Sequence, residues 1–187
     1  GNTATCSFTI TVTDNQAPSI TCPANLTLPT TTGSCFAVAQ WAVPTGTDNC
    51  GGVVTVSGSA TPGNSFGVGT TLVTYTATDA GGNTATCSFT VTVTDSQAPS
   101  ITCPANLTLP TTTGSCFAVA QWAVPTGTDN CGGVVSVTGS ALSGSAFGIG
   151  TTTVNYVATD VSGNTATCSF NVTVTDNQAP TITCPAN

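Results

Sequence analysis

The chain repeats itself every 81 residues: residues 1–81 recur as residues 82–162 with fourteen differences. Every cysteine returns at that offset (Cys6, Cys87, Cys168; Cys22, Cys103, Cys184; Cys35, Cys116; Cys50, Cys131). A fixed period of this size means consecutive copies of one module. Arrays of this kind serve reach, spacing or multivalent contact, whereas a catalytic site seldom needs near-identical consecutive copies.

The opening string GNTATCSF recurs from Gly82 and Gly163, and the closing TITCPAN matches SITCPAN from Ser19 and Ser100. The expected division is a partial module over 1–17, complete modules over 18–95 and 99–176, and the start of another over 177–187. Both ends are thus expected to lie inside modules of a longer protein. The boundaries fall at TDNQAPS and TDSQAPS, where strand alternation ends and proline interrupts a ladder.

Ten cysteines, no histidine and no CxxC pair argue for disulfides over zinc, which places the protein outside a reducing cytosol. A module of this size buries a thin core, so covalent staples are the expected supplement. There are seven Asp and no Glu, Lys, Arg or His, so no side-chain salt bridge can form. With nothing to neutralise phosphate, nucleic acid is excluded as a partner. No membrane span is expected, because the uncharged stretch 15–47 is broken by Pro18, Pro23, Pro29, Gly33 and Pro44.

Strict alternation marks the strands. In 87–94, CSFTVTVT, one face carries Cys87, Phe89, Val91 and Val93 and the other carries Ser88 and threonines. In 71–78, TLVTYTAT, the inward residues are Val73, Tyr75 and Ala77. Shorter strands are expected over 19–22, 26–28, 35–41 and 53–57, separated by turn-rich pieces at 30–34, 45–52, 59–65 and 79–83. Short strands and frequent turns predict an all-β fold of tandem immunoglobulin-like β-sandwiches. Linkers of a few residues make neighbouring modules touch, as in a rod-like array.

The runs ITCPANLT, AQWAVPTGTDNC and SFGVGTTLVTYTATDAGGNTATCSFTVTVTD resemble the HYR (hyalin repeat) domain. The hallmarks are an early CP, W-x-x-P followed by DN, F-x-x-G before V-x-Y-x-A-x-D, and GN-x-x-x-C-x-F. The resemblance covers the whole chain and implies an Ig-like extracellular domain with adhesive or scaffolding roles. Tandem arrays of this kind resemble those of giant cell-surface adhesins of Bacteroidetes-like bacteria. Trp41 and Trp122 match the family's core tryptophan.

In an Ig-like sandwich the first and last strands start at the same pole, which pairs Cys22 with Cys87 and Cys103 with Cys168. A competing linker bridge, Cys87 to Cys103, would need the last strand to fold back on itself. Elimination leaves Cys35 with Cys50 and Cys116 with Cys131.

The aspartates occupy three slots: TVTD (Asp14, Asp95, Asp176), GTDNC (Asp48, Asp129) and ATDxxGN (Asp79, Asp160). In the assumed fold the last two slots share one pole, where the TVTD aspartate of the preceding copy arrives. One group would be Asp14, Asp48 and Asp79 with Asn83, the next Asp95, Asp129 and Asp160 with Asn164. Oxygen-only ligands in loops, with no basic residue nearby, suit Ca²⁺. The same residues also suit turn capping through backbone hydrogen bonds, and both readings stay open.

The function expected is a non-enzymatic structural or adhesive repeat at the cell surface, forming the stalk or filament of a large adhesin. Its partners would be neighbouring modules, laterally associating chains and a surface ligand. The alternative is a Thr-rich module that binds ice, a crystal face or a glycan. Without His, Lys or Arg, an enzyme would have to rely on paired carboxylates.

Overall fold

The structure, a computed structural model, describes residues 1–185. They form two all-β units, Gly1–Thr31 with Cys35–Thr94, and Thr32–Ser34 with the chain from Asp95 onward.

The first unit runs β1 (Ser19–Ile20), β2 (Leu26–Pro29), β3 (Phe36–Val38), β4 (Gly46–Thr47), β5 (Thr55–Gly58), β6 (Ser65–Gly67), β7 (Gly69–Thr78) and β8 (Thr84–Thr94). Four strands make one sheet in the order β2-β8-β7-β5, and the opposing layer is two short ladders, β1-β4 and β3-β6. The edge strand β2 runs parallel to the last strand, with Leu26 opposite Val91, while β7 and β8 form a long antiparallel hairpin. Pro29 is tolerated in β2 because an edge strand can leave one side unbonded.

The second unit repeats the plan with β9 (Ser100–Ile101), β10 (Leu107–Pro110), β11 (Phe117–Val119), β12 (Gly127–Thr128), β13 (Ser136–Gly139), β14 (Ala146–Gly148), β15 (Gly150–Thr159) and β16 (Thr165–Thr175). Its sheet order is β10-β16-β15-β13, opposed by β9-β12 and β11-β14. These are tandem Ig-like β-sandwiches.

Period-two alternation builds the core. Phe89, Val91 and Val93 on β8 and Val73, Tyr75 and Ala77 on β7 are all buried, as are Ala37, Ala39 and Phe66 from the opposing layer. Each fully buried valine stabilises by roughly 1.5–3 kcal/mol. Trp41 closes the core edge-on to Phe89, with ring centroids 5.3 Å apart. Its Nε1–H donates to Tyr75 Oη at 2.8 Å, and the Tyr75 hydroxyl donates to Ala60 O at 3.2 Å. Gly58 lies flat against this ring, where a Cβ would come within 2.5 Å of Tyr75 Cε1.

Three local differences from the sequence reading have physical causes. The strand expected over 35–41 stops at Val38, because Ala39 instead bonds the 61–64 turn, through Ala39 N to Asn64 O and Gly63 N to Ala39 O. β4 lies inside a segment read as a turn and β6 begins at the last residue of another, since two or three residues carry no periodic signal and pair only through tertiary contact. Residues 1–17, expected to be the C-terminal strand of a preceding module, form no ladder, and Phe8 and Val12 are 83% and 90% exposed, because no strand among the described residues pairs with them.

Candidate metal centre

The 11-residue strand β8 separates two poles of the first unit. At its amino end the turn after β7 is closed by Asp79: Oδ1 accepts Asn83 N at 2.8 Å and Oδ2 accepts Asn83 Nδ2 at 3.0 Å. The Asn83 amide also donates to Asp14 O at 3.1 Å, tying the incoming segment to this pole. Asp14 Oδ1 accepts Gln16 N at 3.0 Å, and Asp48 Oδ2 accepts Cys50 N at 2.9 Å, each closing its own turn.

Asp14, Asp48 and Cys50 converge, with one potential ligand atom from each lying within 4.8 Å of the others. Asp48 Oδ1 is buried with no hydrogen-bond partner. The second unit repeats the pole, with Asp95, Asp129 and Cys131 grouped in the same way and Asp129 Oδ1 also buried and unpartnered. Asn164 donates to Asp160 Oδ2 at 2.9 Å and to Asp95 O at 3.2 Å. Of the residues singled out from sequence, Asp14 with Asp48, and Asp95 with Asp129, form the open part of each site. Asp79 and Asp160 stand behind it, each carboxylate engaged by the asparagine four residues on.

Electrostatics divides these groups. The Asn83 side chain, with the amides of Asn83, Gly81 and Gly82, holds the Asp79 carboxyl below its ordinary value against the opposing effect of burial. For Asp160, burial pushes upward most strongly, but the combined bonds from Asn164, Ser162 and Gly163 outweigh it and the net shift is downward. The Cys50 thiol is pushed up, first by its hydrogen bond to Asp14 and then by burial and the charges of Asp14, Asp48 and Asp79.

The cysteines correct part of the sequence reading. Cys22 bonds Cys87 and Cys103 bonds Cys168, each with Cα atoms 5.6 Å apart, so a Cys87 to Cys103 bridge does not form. The expected pairs Cys35 with Cys50 and Cys116 with Cys131 are not formed either: Cys50 and Cys116 carry free thiols, while Cys35 and Cys131 are both half-cystines. The reason is position. Cys35 lies at the carboxyl pole, where Thr30 N bonds Thr94 O and Val68 N bonds Cys35 O, whereas Cys50 lies with Asp14 and Asp48 at the amino pole. A strand of this length holds the poles about 34 Å apart, and bonded Cα atoms need about 7 Å or less. The presence of a cysteine at each carboxylate site escaped the sequence reading because elimination had assigned it elsewhere. The signal was the GTDNC spacing, in which the aspartate caps the cysteine amide two residues on.

The arrangement fits a hard cation in one specific respect. The amino pole of each unit leaves a buried carboxylate oxygen without a donor, beside a second carboxylate, in a chain that has no basic side chain to supply one.

Comparison with known proteins gives a family. The profile described as HYR domain matches residues 13–93 and again 94–174. The chain is 38% identical over 191 residues to hyalin of Strongylocentrotus purpuratus, covering 97% of this chain and 16% of that protein. It is 29% identical over 123 residues to a serine-rich adhesin for platelets from Staphylococcus aureus (strain USA300), covering 59% of this chain and 5% of that protein. Among solved structures it superposes on Drosophila N-cadherin EC1-4 with a TM-score of 0.45 and 13% identity, over 86% of this chain and 50% of that one. The chain therefore spans a small part of the curated relatives it matches.

Proposed function

The chain belongs to the HYR domain family, and from that membership we propose that it is a structural and adhesive spacer of an extracellular surface, not an enzyme, whose amino-pole carboxylates take up Ca²⁺. Disulfides within both units and the kinship with hyalin and a bacterial adhesin place it outside the cell. No helix among the described residues is long and apolar enough to cross a membrane.

The observation that carries the spacer reading is the sameness of the copies. The eight core residues of the first unit, Ala37, Ala39, Phe66, Val73, Tyr75, Phe89, Val91 and Val93, recur with the same identities in the second. So do the core disulfide and the carboxylate pole. Such repetition multiplies length and valence while adding no new chemistry. In this reading the repeats carry an adhesive surface away from the cell as a stalk. Displaying an adhesive tip on one, two or four copies tests it: capture distance should grow with copy number. Independence from copy number, or substrate turnover by the isolated chain, would contradict it.

Ca²⁺ would be held by Asp14 and Asp48 in one unit and by Asp95 and Asp129 in the other, with Asp79–Asn83 and Asp160–Asn164 fixing the loops behind them. Its chemistry there is charge neutralisation and oxygen coordination. Asp48→Asn and Asp129→Asn keep an oxygen acceptor for the capped amide but remove the charge. In wild type, calorimetry should show Ca²⁺ uptake and a melting temperature that climbs with metal concentration. The double variant should lose both. An absence of heat and of thermal shift in wild type at millimolar Ca²⁺ would return these aspartates to turn capping alone.

A further inference from the structure

Away from the carboxylate sites, the second unit brings a hydroxyl, a carboxylate and a primary amide together at its carboxyl pole. β10 runs parallel to β16 with Pro110 opposite Thr175, so the chain leaves both strands side by side. Thr111 N donates to Thr175 O at 3.0 Å, which sets Thr111 beside Asp176 and, two residues on, Gln178. Thr111 is only 8% exposed, so its hydroxyl is shielded from water.

The Gln178 amide is held at both polar atoms. Nε2 donates to Thr111 Oγ1 at 2.9 Å and to Thr112 O at 3.1 Å, while Oε1 accepts from Gly114 N at 2.9 Å. The Thr111 hydroxyl in turn donates to Asp176 Oδ1 at 3.4 Å, and Gln178 N donates to the same oxygen at 3.0 Å. Anchoring the 112–114 turn needs only the bonds to Thr112 O and Gly114 N. A buried hydroxyl set between a carboxylate and a carboxamide exceeds that need.

These are the parts of an acyl transfer. Asp176 stands where a general base takes the hydroxyl proton. The Gly114 N–H lies on the oxygen that gathers negative charge as the amide carbon becomes tetrahedral. Hydroxyl and amide are held together by the fold, so no encounter entropy opposes their reaction.

We propose that Thr111 and Gln178 join in an intramolecular ester, formed by the second unit on itself. The bond from Thr111 Oγ1 to Gln178 Cδ forms and the Cδ–Nε2 bond breaks. The hydroxyl proton passes through Asp176 to the departing nitrogen, and ammonia leaves; no oxidant or co-reactant enters the balance. The ester ties the ends of β10 and β16, whereas Cys103–Cys168 secures the start of β16. It withstands reductants, so in the reduced chain only the first unit extends over its full repeat until hydroxylamine opens the ester.

The test uses the purified chain, held at neutral pH, reduced with a phosphine and digested with pepsin at acid pH, where esters persist. Mass spectrometry should find the peptides carrying Thr111 and Gln178 joined, lighter than their sum by one ammonia, and separated by hydroxylamine. Thr111→Val should leave them apart, Thr111→Ser should restore the link, and Asp176→Asn should slow its accumulation by about 100-fold. Unlinked peptides from wild type, with Gln178 intact or deamidated, would overturn the proposal, as would a link that persists in Thr111→Val. A Cys103–Cys168 peptide in an unreduced digest of each variant shows that the unit has folded. The inference goes beyond the spacer reading and is read by mass, so its failure is separable from that of the spacer, which capture distance tests.

Discussion

At the scale of single residues, Tyr75 is the group on which most converges. Its hydroxyl accepts from Trp41 and donates to Ala60, and its ring is buried against the core. Tyr75→Phe keeps the ring but strands the indole N–H and a carbonyl, and each unsatisfied buried group costs about 1–3 kcal/mol. Thermal melting should fall accordingly, with Tyr156→Phe behaving alike because Trp122 Nε1 donates to Tyr156 Oη at 2.7 Å. Asp79 and Asp160 set an acid limit. Their folded carboxyls titrate below the ordinary value of 3.8, so their stabilisation is complete above that value and disappears as pH falls through the lower folded one. Melting followed between about pH 5 and pH 2 should show an acid limb that is shallower in Asp79→Asn with Asp160→Asn than in wild type. Equal slopes would remove these two residues from the account.

At the scale of elements, the long hairpins β7-β8 and β15-β16 were legible because alternation over ten or eleven residues has few competing explanations. The opposing layer was only partly legible, since Gly46–Thr47 and Ser65–Gly67 become strands solely through their partners β1 and β3. The carboxylate pole was legible in outline: the repeated TVTD, GTDNC and DxxGN slots pointed to Asp14 near Asp48, and the structure adds that Asn83 fastens Asp14 while satisfying Asp79. The second cysteine pair was not legible, because elimination ignores which end of the sandwich a loop occupies. The Cys22–Cys87 bond spans 65 residues and restrains the unfolded unit accordingly. Replacing both residues by alanine should lower unit stability by about 4 kcal/mol on the chain-entropy argument. A melting temperature unchanged by that double substitution would mean that packing between the layers suffices alone.

At the scale of the whole molecule, the proposed spacer role predicts units whose extension is limited by their core disulfides. The bond Cys22–Cys87 encloses a sequence separation of 65 in a repeat of 81 residues, so only the 16 residues left by 81 − 65 are free to extend. Pulling the chain by its two ends in single-molecule force spectroscopy tests this directly. With disulfides intact, each unfolding event should release about 60 Å or less of contour length, and after reduction it should approach about 290 Å for a full repeat. Events of full-repeat length in the unreduced chain would contradict the account, because the staples would then not bear the load.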